Sequence, residues 1–170
     1  MEKKKEKGKK KLWLILVAAA VLEIPFQLWI LPMFRSTTAD FENDYITFTY
    51  PKEYSSKKTS KDFYSFMDTD TGNFFHLSYR TLWSRDTLES CTEFQIEMNT
   101  LGGFSAHKET EDITADNEPA KFVQYGSPYS YSAEVIVLHG GKRYLLFFYL
   151  QFNQGNEQMI KDIVASIEFK

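Results

Sequence analysis

The residue types able to do chemistry in this chain are few, and their spacing restricts what they can do. There are three histidines, His76, His107 and His139, and one cysteine, Cys91. No two histidines stand at a short ligand spacing such as His-x-x-x-His, so no metal centre is expected. Only His76 and His139 could be brought together, on neighbouring strands. A cysteine nucleophile needs exposure and a nearby base. Cys91 instead falls within an apolar helical stripe and reads as a small buried residue. A single cysteine excludes a disulfide within the chain, and no run of small apolar residues precedes it, as lipid attachment would require. The serines include no Gly-x-Ser-x-Gly elbow. Gly102-Gly103 reads as a helix stop and Gly140-Gly141 as a hairpin turn, so no phosphate-binding glycine loop remains. Asp68-Thr69-Asp70-Thr71-Gly72-Asn73 has the carboxylates of a calcium loop. Such a loop needs glycine at its sixth position and glutamate at its twelfth, where this chain has Asn73 and Tyr79. The segment reads as a turn. These observations predict a non-catalytic protein with no cofactor and no metal.

Charge separates the chain into two parts. Residues 1–11 hold seven lysines and two glutamates, whereas the chain from Arg35 onward carries 13 Lys and Arg against 20 Asp and Glu. Without a basic stripe in the larger part, nucleic-acid binding is not expected, because phosphate neutralisation needs clustered cations. Between the two lies LWLILVAAAVLEIPFQLWILPMF, residues 12–34. As a helix its 23 residues would rise ~1.5 Å each, enough for a hydrocarbon layer of about 30 Å. Lysines resist translocation, so residues 1–11 are expected in the cytoplasm, 12–34 as a single transmembrane signal anchor, 35–44 as a linker, and 45–170 as an extracytoplasmic domain. Glu23 lies mid-span, where a charge costs about 2.5–3.5 kcal/mol; it is a candidate contact to another membrane subunit. Pro25 would kink the helix. The alternative is a signal peptide cleaved after Ala20 and a secreted product.

The elements that must position any site follow from periodicity. Ile46, Phe48 and Tyr50 alternate with Thr47 and Thr49 in a strand ended by Pro51. Residues 52–62 read as an exposed loop, and 63–67 with 74–82 as a hairpin. A helix over 86–101 begins at Asp86 as N-cap, with Glu89 completing a capping box. Its expected buried stripe is Leu88, Cys91, Phe94, Met98 and Leu101. A weak edge strand over 104–114, a turn at Asp116-Asn117-Glu118-Pro119, and strands over 120–125, 130–139 and 142–152 come next. The last of these is apolar on both faces, which predicts a central strand covered on both sides. Met159, Ile160, Ile163, Val164 and Ile167 mark a final amphipathic helix. The expected fold is α+β, an antiparallel sheet sandwiched between helices.

The strand ending in Tyr-Pro (Ile46–Pro51), the mid-chain helix, Asn117-Glu118-Pro119-Ala120 leading into a strand, the long apolar hairpin and the closing Ser166-Ile167-Glu168-Phe169 together resemble the PsbP-like domain. The resemblance spans about residues 41–170. That superfamily includes the extrinsic subunit of photosystem II, DcrB-type envelope lipoproteins and a Ran-binding nuclear import factor. It implies an antiparallel sheet with flanking helices and a binding or accessory role. Many bacterial members are held at the envelope by lipid; a helix-like anchor would be a departure.

Tyr129 and Tyr131, flanked by serines after Gly126-Ser127-Pro128, are a candidate contact surface, since tyrosines combine apolar area with low ordering cost. The reading is a membrane-tethered extracytoplasmic module with a protein partner. An envelope enzyme of hydrolase type, its site not visible in sequence, and a small structural subunit of a membrane complex are the alternatives.

Overall fold

In the computed structural model the described residues are 37–101, 106–126, 130–151 and 156–170. The expected span 12–34, with Glu23, lies outside them, as does Tyr129. No described helix is long and apolar enough to cross a membrane.

Among the described residues ten strands form two antiparallel sheets. The smaller has the order β1 (Thr38–Glu42), β2 (Ile46–Pro51), β10 (Glu168–Phe169). The larger runs β3 (Ser55–Ser60), β4 (Phe63–Met67), β5 (Phe74–Thr81), β9 (Lys142–Gln151), β8 (Ser130–His139), β7 (Glu118–Gly126), β6 (Ala106–Ala115). The described helices are α1 (Leu88–Leu101) and α2 (Asn156–Ala165). The central position of β9 in the seven-stranded sheet agrees with its two apolar faces.

The main core lies on one face of the large sheet. Phe66, Phe75, Leu77, Phe122, Val135, Leu146 and Phe148 meet Ile46, Phe48 and Tyr50 of the small sheet and Ile160, Ile163 and Val164 of α2. Aromatic rings dominate it: Phe66 stacks on Phe75 at 4.3 Å, and Phe75 on Phe148 at 5.2 Å. The expected α+β class holds, with two corrections. The layer on this face is a second sheet together with α2, not helices alone. And the stretch 35–44, expected as a linker, supplies β1, because Phe41 finds Phe48 at 4.9 Å and Phe66 at 5.3 Å.

The expected loop at 52–62 contains β3. Its side chains, Ser55 to Ser60, are all exposed, so it has no hydrophobic period to read; backbone pairing with β4 alone defines it. Lysines 57 and 58 on this outer strand discourage further edge pairing. The turns at 68–73 and 140–141 are as expected; of the turn expected at 116–119, Glu118 and Pro119 belong to β7 and the turn is Asp116-Asn117, and Gly102-Gly103 and Ser127-Pro128 lie outside the described residues. Gly72 (φ 73°), Gly140 (φ 55°) and Gly141 (φ 73°) take the left-handed region that glycine enters at no steric cost.

Candidate interaction surface

The other face of the large sheet, here the outer face, is built from the residues that alternate with the main core. α1 covers its β7–β8 side. Cys91, with Leu88 and Ile96, packs on Val123, Tyr125, Ile136 and Leu145. Cys91 is buried, and burial raises its thiol above the ordinary value, so the sulfur is held protonated. This matches the reading of a buried apolar residue.

The capping of α1 differs from the expectation. Thr87 Oγ1 accepts from the Ser90 N–H (3.1 Å) and Ser90 Oγ accepts from the Thr87 N–H (2.9 Å), a reciprocal cap. Asp86 accepts from the Trp83 N–H (3.0 Å) and pairs with Arg80 (2.8 Å).

The buried stripe of α1 is also rotated from the expected one. The sheet-facing positions include Cys91, Thr92, Gln95 and Asn99, and three of these are polar. Gln95 Nε2 donates to Glu134 Oε1 (3.0 Å), Tyr125 Oη donates to Glu134 Oε2 (2.8 Å), and Asn99 Nδ2 donates to Tyr125 Oη (3.1 Å). Glu134 is 2% exposed, and burial raises its carboxyl above the ordinary value. A buried acid needs donors, so the helix turns its amides inward. Phe94, Met98 and Leu101, expected inside, are therefore outside, at 51%, 54% and 75% exposure.

Their direction is set by contacts on either side of α1. Glu89 acts on Lys121 of β7, whereas Cys91 lies against Arg143 of β9. Phe94 and Met98 follow Cys91 by three and seven residues, so they flank the side facing β9. Beyond that flank the outer face of β9, β5 and β4 carries Phe147, Tyr149, Phe74, His76 and Phe63, all half-buried. Phe74 stacks on Tyr149 at 5.0 Å, and His76 lies 4.9 Å from both Phe63 and Phe74. Burial lowers the His76 imidazole below its ordinary value, and its Nδ1 has no hydrogen-bond partner. At neutral pH the ring is an uncharged member of an aromatic floor.

Large hydrophobics are exposed at five described positions: Phe94, Met98, Leu101, Met67 (45%) and Trp83 (75%). All five stand on the outer side. Met67 is opposite Phe74 on the outer face, and the Trp83 ring lies 4.9 Å from the guanidinium of outer-facing Arg80. Together these residues make up one outer surface, here called the valley, with an aromatic floor, apolar side chains along α1, and a basic end at Arg80 and Arg143.

The residues singled out from sequence do not assemble into a site. Tyr131 belongs to β8 and its ring packs against the main core, with Oη buried and unpartnered. His139 bonds Glu118 (2.8 Å) and stacks on Phe169, and His107 bonds Thr110 (2.9 Å), so neither approaches His76. Among the described residues no three metal-ligating side chains converge. Asp68 closes its turn, accepting from the Asp70 N–H (3.0 Å) and from Thr71 Oγ1. The valley was missed because its parts are far apart in sequence. One signal was available: Thr92, Gln95 and Asn99 form a polar stripe at helical spacing that competes with the apolar one.

No family model matches the chain, and no curated protein matches it. Solved structures do. The solution structure of cyanobacterial PsbP from Synechocystis aligns with a TM-score of 0.57 at 14% identity, covering 80% of this chain and 94% of that one. A substituted form of the protein Mog1 aligns at 0.55 and 8% identity, covering 78% and 96%. A crystal structure from Bacteroides thetaiotaomicron aligns at 0.54 and 12% identity, covering 79% of this chain; the match spans about half, 49%, of that protein. At these identities the likeness is one of fold, and the fold is PsbP-like.

Proposed function

We propose that this chain is a non-catalytic binding module, held at a membrane by residues 12–34 on the extracytoplasmic side, that receives an apolar segment of a protein partner in the valley between α1 and the outer face of β9, β5 and β4. The observation that carries the reading is that all five exposed large hydrophobics among the described residues lie on the outer side of the large sheet, the side that carries the half-buried aromatic floor. Exposed apolar area of this kind marks an interaction surface. Helix-in-groove recognition uses the same components, an apolar floor with a side wall. The PsbP-like fold supports the same class of role.

A protein fits this surface better than a lipid bilayer does. The floor side chains Phe147, Tyr149, Phe74, His76 and Phe63 are half-buried, so they offer little apolar area to a flat lipid surface. The wall helix carries Glu89, Glu93 and Glu97 and no basic residue, which anionic headgroups would repel.

The test is site-specific photocrosslinking in intact cells, with the crosslinking residue placed at Phe94, Met98 or Met67, and at Lys57 on β3 as a control. One discrete protein adduct of common mass from the three valley positions, absent at Lys57, is expected. Adducts to lipid, equal labelling at Lys57, or no adduct at the valley positions would refute the assignment.

A further inference from the structure

At the basic end of the valley two cations face each other. Arg80 on β5 and Arg143 on β9 are directly opposite in the strand register, and both point to the outer face. Like charges in that position destabilise a sheet. Asp86 is the carboxylate that answers them, and it is committed elsewhere: its Oδ2 takes both the Arg80 guanidinium at 2.8 Å and the Trp83 N–H at 3.0 Å. Glu134, the other acid acting on Arg143, is engaged by Gln95 and Tyr125. Arg143 is left with Nε and Nη1 buried and without an oxygen or nitrogen acceptor; the neighbour its guanidinium lies against is the weakly accepting Cys91 sulfur. Buried donors that lack an acceptor are rare in folded proteins, and each costs free energy.

We infer that the Arg80–Arg143 pair is a receptor for a single carboxylate on the segment that occupies the valley, an acidic side chain or a chain terminus next to an apolar or aromatic group. This rests on the valley being a binding surface. Two guanidiniums face Asp86, with Glu134 beneath Arg143 already engaged by Gln95 and Tyr125, an arrangement that suits a monoanion; a phosphate dianion would meet both acids with excess charge. The planar guanidinium fork matches a carboxylate through two parallel hydrogen bonds. Nε and Nη1 of Arg143 are sealed under neighbouring side chains, so the carboxylate is met as the guanidinium swings out beside Arg80. Trp83, three-quarters exposed beside Arg80, supplies an apolar surface for the group that carries the acid.

The experiment is an NMR titration of the purified full chain with three probes: 3-phenylpropionate, its neutral amide, and acetate. The readouts are the arginine side-chain Nε–H signals and the Trp83 indole. The acid is expected to bind about five-fold or more tighter than the amide, the worth of one charge-assisted pair. That preference should vanish in Arg143→Gln, shrink in Arg143→Lys, which keeps the charge but not the fork, and persist in Lys142→Gln, which changes charge by the same amount next door. Thermal melts check that each variant is folded. Equal binding of acid and amide overturns the inference, as does a preference that survives Arg143→Gln, or no binding by either carboxylate. If acetate moves the Arg143 signal while the amide moves nothing, the carboxylate receptor stands and the apolar valley falls. If the amide binds and no carboxylate preference appears, the reverse holds.

Discussion

The carboxyl of Glu134 has exchanged water for two donors, Gln95 and Tyr125, beneath α1. Removing the acid strands both donors in a dry site. Glu134→Ala should therefore cost about 2 kcal/mol of folding stability, read from urea unfolding. Glu134→Gln keeps an acceptor and should be far milder. The two variants also differ from wild type in pH response. Because burial raises the folded-state value, the folded chain holds the Glu134 proton more tightly than the unfolded chain does. Its contribution is largest below the unfolded value and declines as pH rises from there to the folded value. Glu134→Gln should lack that decline. His76 runs the other way. Burial lowers its folded-state value, so its neutral ring contributes fully above the unfolded value and stability is lost as pH falls below it. His76→Phe should flatten the mildly acidic limb of the unfolding midpoint against pH. Arg143 presents a third case, a group kept at a cost. Arg143→Leu relieves both the opposed charge and the unmet donors, and should leave the domain equally stable or up to about 1 kcal/mol more stable. A clear loss of stability would show instead that the arginine serves the fold.

At the level of elements, the two helices show when periodicity is enough. In α2 the stripe Ile160, Ile163, Val164 and Ile167 is buried as its spacing implies, because the main core opposite it is wholly apolar. In α1 the spacing of Phe94, Met98 and Leu101 is equally regular, yet these side chains face outward. What outweighed them is Glu134, forty residues on, whose need for donors is invisible to a pattern read within one helix. Double substitution Phe94→Gln with Met98→Gln should thus change the melting temperature little, since neither side chain is in the core, while abolishing the valley adduct formed from position 67. Were the pair part of the core, the same substitution would lower stability by several kcal/mol. Strands divide along the same line. β2 is legible because burial of one face imposes a period of two, β9 because its unbroken apolar run marks a central strand, and β1 was hidden because its single deep anchor, Phe41, gives no period. β3 has no buried side chain at all. The pairing of β5 with β9 joins distant parts of the sequence, which is why Arg80 and Arg143 could not be seen as neighbours.

Considered whole, the chain is a basic, then apolar, then acidic sequence whose described strands and helices all fall within residues 38–170. The two sheets close on one continuous aromatic core, and Lys170 at the C-terminus is tied back to Glu42 near the start of that unit at 2.6 Å. The described strands of this unit are held in ladders, so cleavage within them requires local opening. In the proposed tethering, the lysine-rich residues 1–11, with no comparable cluster just after residue 34, set one orientation, lysines inside and domain outside. Protease applied to intact cells is accordingly expected to cut ahead of residue 38 and release a fragment close to Thr38–Lys170 that stays folded. In inverted membrane vesicles the same fragment should be shielded, and only the first eleven residues trimmed. The reverse pattern would put the valley on the cytoplasmic side and remove the tethered, outward-facing module as a reading. A fragment released from cells with no protease at all would point instead to cleavage after Ala20.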